Sequence, residues 1–119
     1  MIGCMTIRQK KKMIAAQKAA RLRACREISR YGRRHGYKFK HAKNGGEYYI
    51  KQLKYYLDGY DGKNNVAIEF YGKPHKRTID KDTFRRKKII WYLKCSFVEI
   101  WYNGKINKYD KTERVCKNN

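Results

Sequence analysis

Residues 56–75 read YLDGYDGKNNVAIEFYGKPH, and the way this stretch folds decides the rest of the chain. In NVAIEFYG, Val66, Ile68 and Phe70 alternate with Ala67, Glu69 and Tyr71. Just upstream, in QLKYYLDGY, Leu53, Tyr55 and Leu57 alternate with Lys54, Tyr56 and Asp58. A period of two in apolar, β-branched and aromatic residues marks strands, and DGYDGKNN between the two runs is turn chemistry. The expectation is an antiparallel hairpin whose Leu53–Tyr55–Leu57 and Val66–Ile68–Phe70 faces enter the core. Asp58 and Glu69 then lie together on the opposite, polar side.

Working outward, YGRRHGYKFKHAKNGGE reads as a basic, glycine-punctuated loop. Before it, residues 6–31 are dominated by strong helix formers and read as one helix, with Gly32 as its stop. Its apolar stripe is thin: Ile14, Ala15, Ala19, Leu22, Cys25 and Ile28. Downstream, RTIDKDTFRRKKIIWYLK has helical character, with Ile79, Arg86, Ile90 and Leu93 on one stripe. SFVEIWY is a further strand, and Asn103-Gly104 turns it into KINKYD. The order helix, loop, β, β, α, β, β predicts a small α/β or α+β fold. Residues 1–40 form a basic helical nucleic-acid-binding arm, and residues 41–119 an α/β domain with a central mixed sheet.

Thirty-one Lys and Arg against ten Asp and Glu give a formal net charge of +21. Such a field repels itself unless something anionic neutralises it, and nucleic acid is the partner whose phosphates release counterions on contact. The cations expected to meet phosphate are Lys10, Lys11, Lys12, Lys18, Arg21, Arg23, Arg26, Arg30, Arg33, Arg34, Lys38 and Lys40 along the arm, with Arg85 and Arg86 further on. Tyr31, Tyr37 and Phe39, interleaved with these cations, are the candidate base-stacking rings; Trp91 and Trp101 read as core. His35 and His41 read as loop residues that meet phosphate or nothing.

A membrane is excluded as a partner in the spanning sense, since no run of about 18 apolar residues occurs. Cys4, Cys25, Cys95 and Cys116 are scattered, with no CxxC and no finger-like spacing to His35, His41 or His75, which argues against zinc. Scattered thiols without a secretory signal fit a reducing intracellular compartment: cytoplasm, nucleus, mitochondrial matrix or virus factory. The Arg/Lys-rich, acid-poor helix also has the composition of a mitochondrial presequence.

Asp58 and Glu69, eleven residues apart on neighbouring strands, supply what Mg²⁺ or Mn²⁺ needs, a few carboxylate oxygens with the rest of the shell left to water and substrate phosphate. Such an ion offsets charge on a scissile phosphate and activates water, and a nearby histidine moves the proton. The bland readings stand beside this one. Asp58 precedes a glycine and Asp-Gly turns chains; Glu69 can simply pair with Arg85 or Arg86; Asp82 suits a first helical turn.

The stretch HAKNGGEYYI…YYLDGYDGKNNVAIEFYGKPH…DKDTFRRKKIIWYLKCSFVEIW resembles the restriction-endonuclease-like superfamily, in the branch of very-short-patch-repair nicking enzymes and EDxHD homing endonucleases. The likeness covers residues 41–101. It implies Glu47 at the glutamate of the GGE motif, Asp58 as the metal-binding aspartate, and Glu69 as the second acidic position. It further implies His75 in proton transfer and Asp82 at the start of the following helix. Leu57 stands where many members have proline, and Tyr71 where most have lysine. The function implied is a metal-dependent endonuclease acting on DNA. The alternative is a nuclease-fold protein with little or no catalysis that binds RNA or DNA inside a ribosome, which could be mitochondrial, or a virion.

Overall fold

The computed structural model describes residues 5–72 and 79–111. Helix α1 (Ile7–His35) begins where Thr6 accepts the Gln9 N–H at 3.1 Å and the Gln9 side chain accepts the Thr6 N–H at 2.8 Å, a reciprocal cap. It ends at Gly36 in the left-handed region, one turn beyond the stop expected at Gly32. Gly32 has a different task. A Cβ there would meet the Tyr37 carbonyl oxygen at 2.7 Å, so glycine lets the returning chain pass against the helix.

Two β units follow. Strand β1 (Tyr48–Ile50) pairs antiparallel with β2 (Tyr55–Leu57). Strands β3 (Gly59–Asp61), β4 (Val66–Tyr71), β5 (Ser96–Trp101) and β6 (Ile106–Tyr109) form a four-stranded sheet in that order. Its outer pairs are antiparallel and β4–β5 is parallel, with helix α2 (Ile79–Leu93) as the crossover that parallel neighbours require. The fold is α+β, with a mixed sheet behind a long N-terminal helix.

Both faces of the sheet are covered. Val66, Ile68, Val98 and Ile100 pack with Ile28, Tyr31 and Phe39 on the α1 side. Ala67 and Phe97 pack with Ile50, Leu57, Ile89, Ile90 and Cys95 on the α2 side. Residues on either side of position 40 therefore share one core. Along α1, residues 7–23 are exposed, Ile14 and Leu22 of the expected stripe among them, and the helix is buried only from Cys25 onward.

The expected hairpin is replaced by a tighter one. The partner of β4 is Gly59–Asp61, the very residues that read as turn, and the turn shrinks to 62–65. A Cβ at Gly59 would meet Ile68 Cγ2 at 2.7 Å and Ile28 Cγ2 at 3.0 Å, so a strand without a side chain there lets β3 slide beneath α1. Leu53 lies outside any strand, and Tyr55 and Leu57 pair instead with Tyr48–Ile50, from a stretch adjoining the expected loop.

Asp61 ties this hairpin to the exit of α1. It is 3 % exposed and accepts N–H bonds from Lys38 at 2.8 Å and Asn64 at 2.9 Å, with the Asn64 side-chain amide also at 2.9 Å. Burial raises its carboxyl, but these donors outweigh burial and hold it below the usual range. Asp61→Ala is expected to cost about 2 kcal/mol in denaturant unfolding, because buried N–H groups lose a charged acceptor. An unchanged midpoint would show that water replaces the carboxylate.

Candidate active site

Asp58 sits between β2 and β3 and is clasped to β4. Its N–H donates to Glu69 Oε2 at 2.9 Å, while its own Oδ2 accepts the Phe70 N–H at 2.9 Å. The exchange fixes both carboxylates relative to the strand ladder. Glu69 is not on a polar face, as alternation had suggested; it is 2 % exposed on the α2 side of the sheet. Its other oxygen is ion-paired with Arg85, which also donates to the Tyr56 carbonyl. Burial and then the charge of Asp58 push the Glu69 carboxyl up to about 8, against the downward pull of Arg85 and of the Asp58 N–H.

In-register beside Glu69 on the parallel strand is Glu99, also 2 % exposed. Arg86 lies 3.3 Å from it, Asn107 and the Tyr109 hydroxyl donate to it at 3.3 Å, and the Arg86 guanidinium covers the Tyr109 ring at 3.8 Å. Two adjacent arginines thus meet two adjacent buried glutamates. Arg85 and Arg86, expected on the phosphate-facing surface, are turned inward. Glu99 escaped the sequence reading, although VAIEFY and SFVEIW both centre a glutamate in an apolar strand.

Glu47 is brought in by a built loop. Asn44 Oδ1 accepts the His41 N–H at 2.6 Å, the Asn44 side-chain amide donates to the Phe39 carbonyl at 2.9 Å, and the Gly46 N–H returns to the His41 carbonyl at 3.0 Å. Gly45 and Gly46 both take positive φ to close it. His41 is buried, not in a solvent loop. Its Nδ1 accepts the Lys43 N–H at 3.1 Å, so its proton sits on Nε2 and is donated to Ser29 Oγ at 2.8 Å. Burial lowers its pKa. A depressed histidine contributes stability above its unfolded value near 6.5 and loses it as pH falls through the folded value. The melting-temperature advantage of wild type over His41→Gln is therefore expected at pH 7.5 and to shrink toward pH 5; a constant difference would show that His41 does not titrate in this loop.

Glu47 and Asp58 open into one cavity of about 230 Å³ against α1, walled also by Arg21, Arg23, Phe70 and Gly72. Partial burial and then the charge of Asp58 raise the Glu47 carboxyl, with Arg21 and Arg85 lowering it. Arg23 donates to the Tyr102 carbonyl at 2.8 Å and lies over the Phe70 ring at 5.3 Å. Asp82, in the first turn of α2, acts instead on Tyr71, whose hydroxyl pKa is raised by burial, then by Glu69, Glu99 and Asp82. His75 lies outside the described residues.

The remaining expected cations, Lys10, Lys11, Lys12, Lys18, Arg26, Arg30, Arg33, Arg34, Lys38 and Lys40, are exposed, and Arg30 pairs with Glu27 at 3.4 Å. The expected stacking rings are not: Tyr31 and Phe39 are buried in the core, with Tyr37 packed against them, and Tyr31 stacks on His35 within α1. Trp91 is 61 % exposed, not core, and Tyr48, Tyr49 and Tyr56 are exposed on β1 and β2.

Among the described residues no three His, Cys, Asp or Glu side chains form a ready-made metal cage. The donors suit a hard cation that takes few protein ligands: Asp58 and Glu47 share the cavity, all-oxygen and mutually repelling, while Glu69 is held by Arg85 and is not among the lining residues. Comparison of this chain with protein-family models, curated proteins and solved structures finds no match. No described helix is long and apolar enough to cross a membrane.

Proposed function

We propose that this chain is a metal-dependent endonuclease acting on DNA, of the restriction-endonuclease-like type that its motifs resemble. The observation that carries the reading is the shared cavity: Glu47 and Asp58 face one space beside Arg21 and Arg23, next to a helix studded with exposed cations. Arg21 and Arg85 offset part of the repulsion between these carboxylates, and a bound divalent cation would offset the rest. Asp58 and Glu47 would hold Mg²⁺ or Mn²⁺, with Glu69 as the reserve ligand behind Arg85. The ion supplies charge stabilisation at the scissile phosphate and a more acidic water. The exposed face of α1 grips the backbone without regard to sequence. His75 takes the proton-transfer role and Asp82 the acidic place at the start of α2 that the resemblance gives them.

A second reading has its own observation. Arg85 occupies Glu69, which suits a nuclease fold retained as a structural clamp on rRNA or DNA in a ribosome or virion. Incubating the purified protein with supercoiled plasmid and, separately, with structured RNA separates the two. The endonuclease nicks or linearises plasmid with Mg²⁺ or Mn²⁺ and stops in EDTA. Tight binding of either nucleic acid with no cleavage in any metal leaves the clamp.

A further inference from the structure

On the other side of Glu47 lies a second, larger and more polar groove of about 690 Å³, between the end of α1, the 41–46 loop and the β3–β4 turn. Glu47 is a wall of both spaces. The rim carries Lys38, Lys40 and Lys63, all exposed. The floor carries Tyr48, whose ring stacks on Tyr60 with centroids 4.5 Å apart. The Tyr60 hydroxyl donates to Asn65 Oδ1 at 2.6 Å, so the platform is anchored, while Tyr48 keeps 40 % of its surface open. The one buried acid in the wall, Asp61, is already satisfied by the Lys38 and Asn64 N–H groups.

We propose that this groove holds one unpaired nucleotide of a DNA strand, its base stacked on Tyr48 and its phosphates on Lys38, Lys40 and Lys63. The assignment follows from chemistry. An anchored ring with an open face takes any base, and three flexible ammonium groups around it take the flanking phosphates. The volume excludes a duplex but accepts a nucleotide pulled out of one. The inference rests on the endonuclease reading, since Glu47 then connects the extruded nucleotide to the cavity where the strand is cut.

The test is binding in EDTA, which needs no cleavage. A short duplex carrying 2-aminopurine as a single unpaired nucleotide is titrated with the full chain beside the fully paired duplex. Wild type is expected to bind the unpaired form about tenfold more tightly and to quench its fluorescence. Tyr48→Leu, which keeps apolar bulk over Tyr60 without a stacking face, abolishes the preference and leaves paired-duplex affinity unchanged; Tyr48→Phe retains both. Lys63→Gln weakens the unpaired form more than the paired one. The proposal is overturned if wild type shows no preference, or if Tyr48→Leu weakens both duplexes equally. Preference without cleavage in Mg²⁺ would remove the endonuclease and keep the nucleotide site; cleavage without preference would do the reverse.

Discussion

Asp58→Asn is expected to lower plasmid cleavage on the order of 10³-fold while leaving DNA affinity intact or slightly tighter. The substitution keeps the acceptor that receives the Phe70 N–H, so the clasp on β4 survives and the fold is not at issue. What it removes is one negative charge beside Glu47, and with it the strongest oxygen that the cavity offers a cation. Loss of that charge also eases the approach of phosphate, which is why binding does not suffer. Glu47→Gln is the matched control, with a smaller loss expected because Glu47 stands at the surface. Equal cleavage by Asp58→Asn and wild type would place the chemistry elsewhere.

The second large effect concerns Arg85, and it depends on pH. In EDTA the Glu69 carboxyl takes up its proton near pH 8, far above its ordinary value of 4.5. A carboxyl raised by folding contributes fully below its unfolded value, and that contribution is lost as pH rises through the folded one. Removing Arg85 in Arg85→Met raises the folded value further, so the window of loss extends upward. Near pH 6, with Glu69 neutral in both proteins, the variant is expected to be weaker by about 1–2 kcal/mol from lost hydrogen bonds. Above pH 8 each unit adds about 1.4 kcal/mol until the variant's own Glu69 ionises. Arg85→Met with Glu69→Gln removes the growth with pH. Denaturant midpoints at pH 6, 8 and 9.5 read this directly; a flat penalty would show that Arg85 acts by packing alone.

These two residues also show how far the sequence could be read. The helices, the β4 and β5 strands and the Asn103-Gly104 turn were legible because their periodicity is local: Cys25 and Ile28, or Val66–Ile68–Phe70, declare their faces without outside help, although α1 runs one turn past Gly32. The pairing of the central hairpin was not. Asp-Gly occurs twice, at 58–59 and 61–62, and only the close approach of Ile28 and Ile68 to Gly59 selects the second as the turn. With that shift Tyr55 and Leu57 find Tyr48–Ile50, and the face that carries Glu69 is buried because α2 covers it.

The candidate site was legible in part. Asp58 and Glu69 do lie together, although through the clasp of Asp58 on β4 and not through the expected strand pairing, and Glu47 was named by resemblance alone. Pairing of Glu69 with Arg85 was legible only as one alternative beside Arg86: a cation on a basic helix looks alike whether it faces solvent or a buried acid, and tertiary packing of α2 decides. Aromatics misled for the opposite reason. Tyr31 and Phe39 lie amid lysines and arginines in sequence yet fill the core, while Tyr48, to which the sequence assigned no role, presents the open ring.

Whether Asp58 holds a cation is read by a Mn²⁺ titration followed by electron paramagnetic resonance, in the presence of a short duplex that resists cleavage, with wild type and Asp58→Asn side by side. One protein-bound ion is expected in wild type, and Asp58→Asn is expected to release it at the same metal concentration. Identical Mn²⁺ binding by the two proteins, or no bound ion in either, would contradict it and leave the carboxylates beneath α1 without a cation.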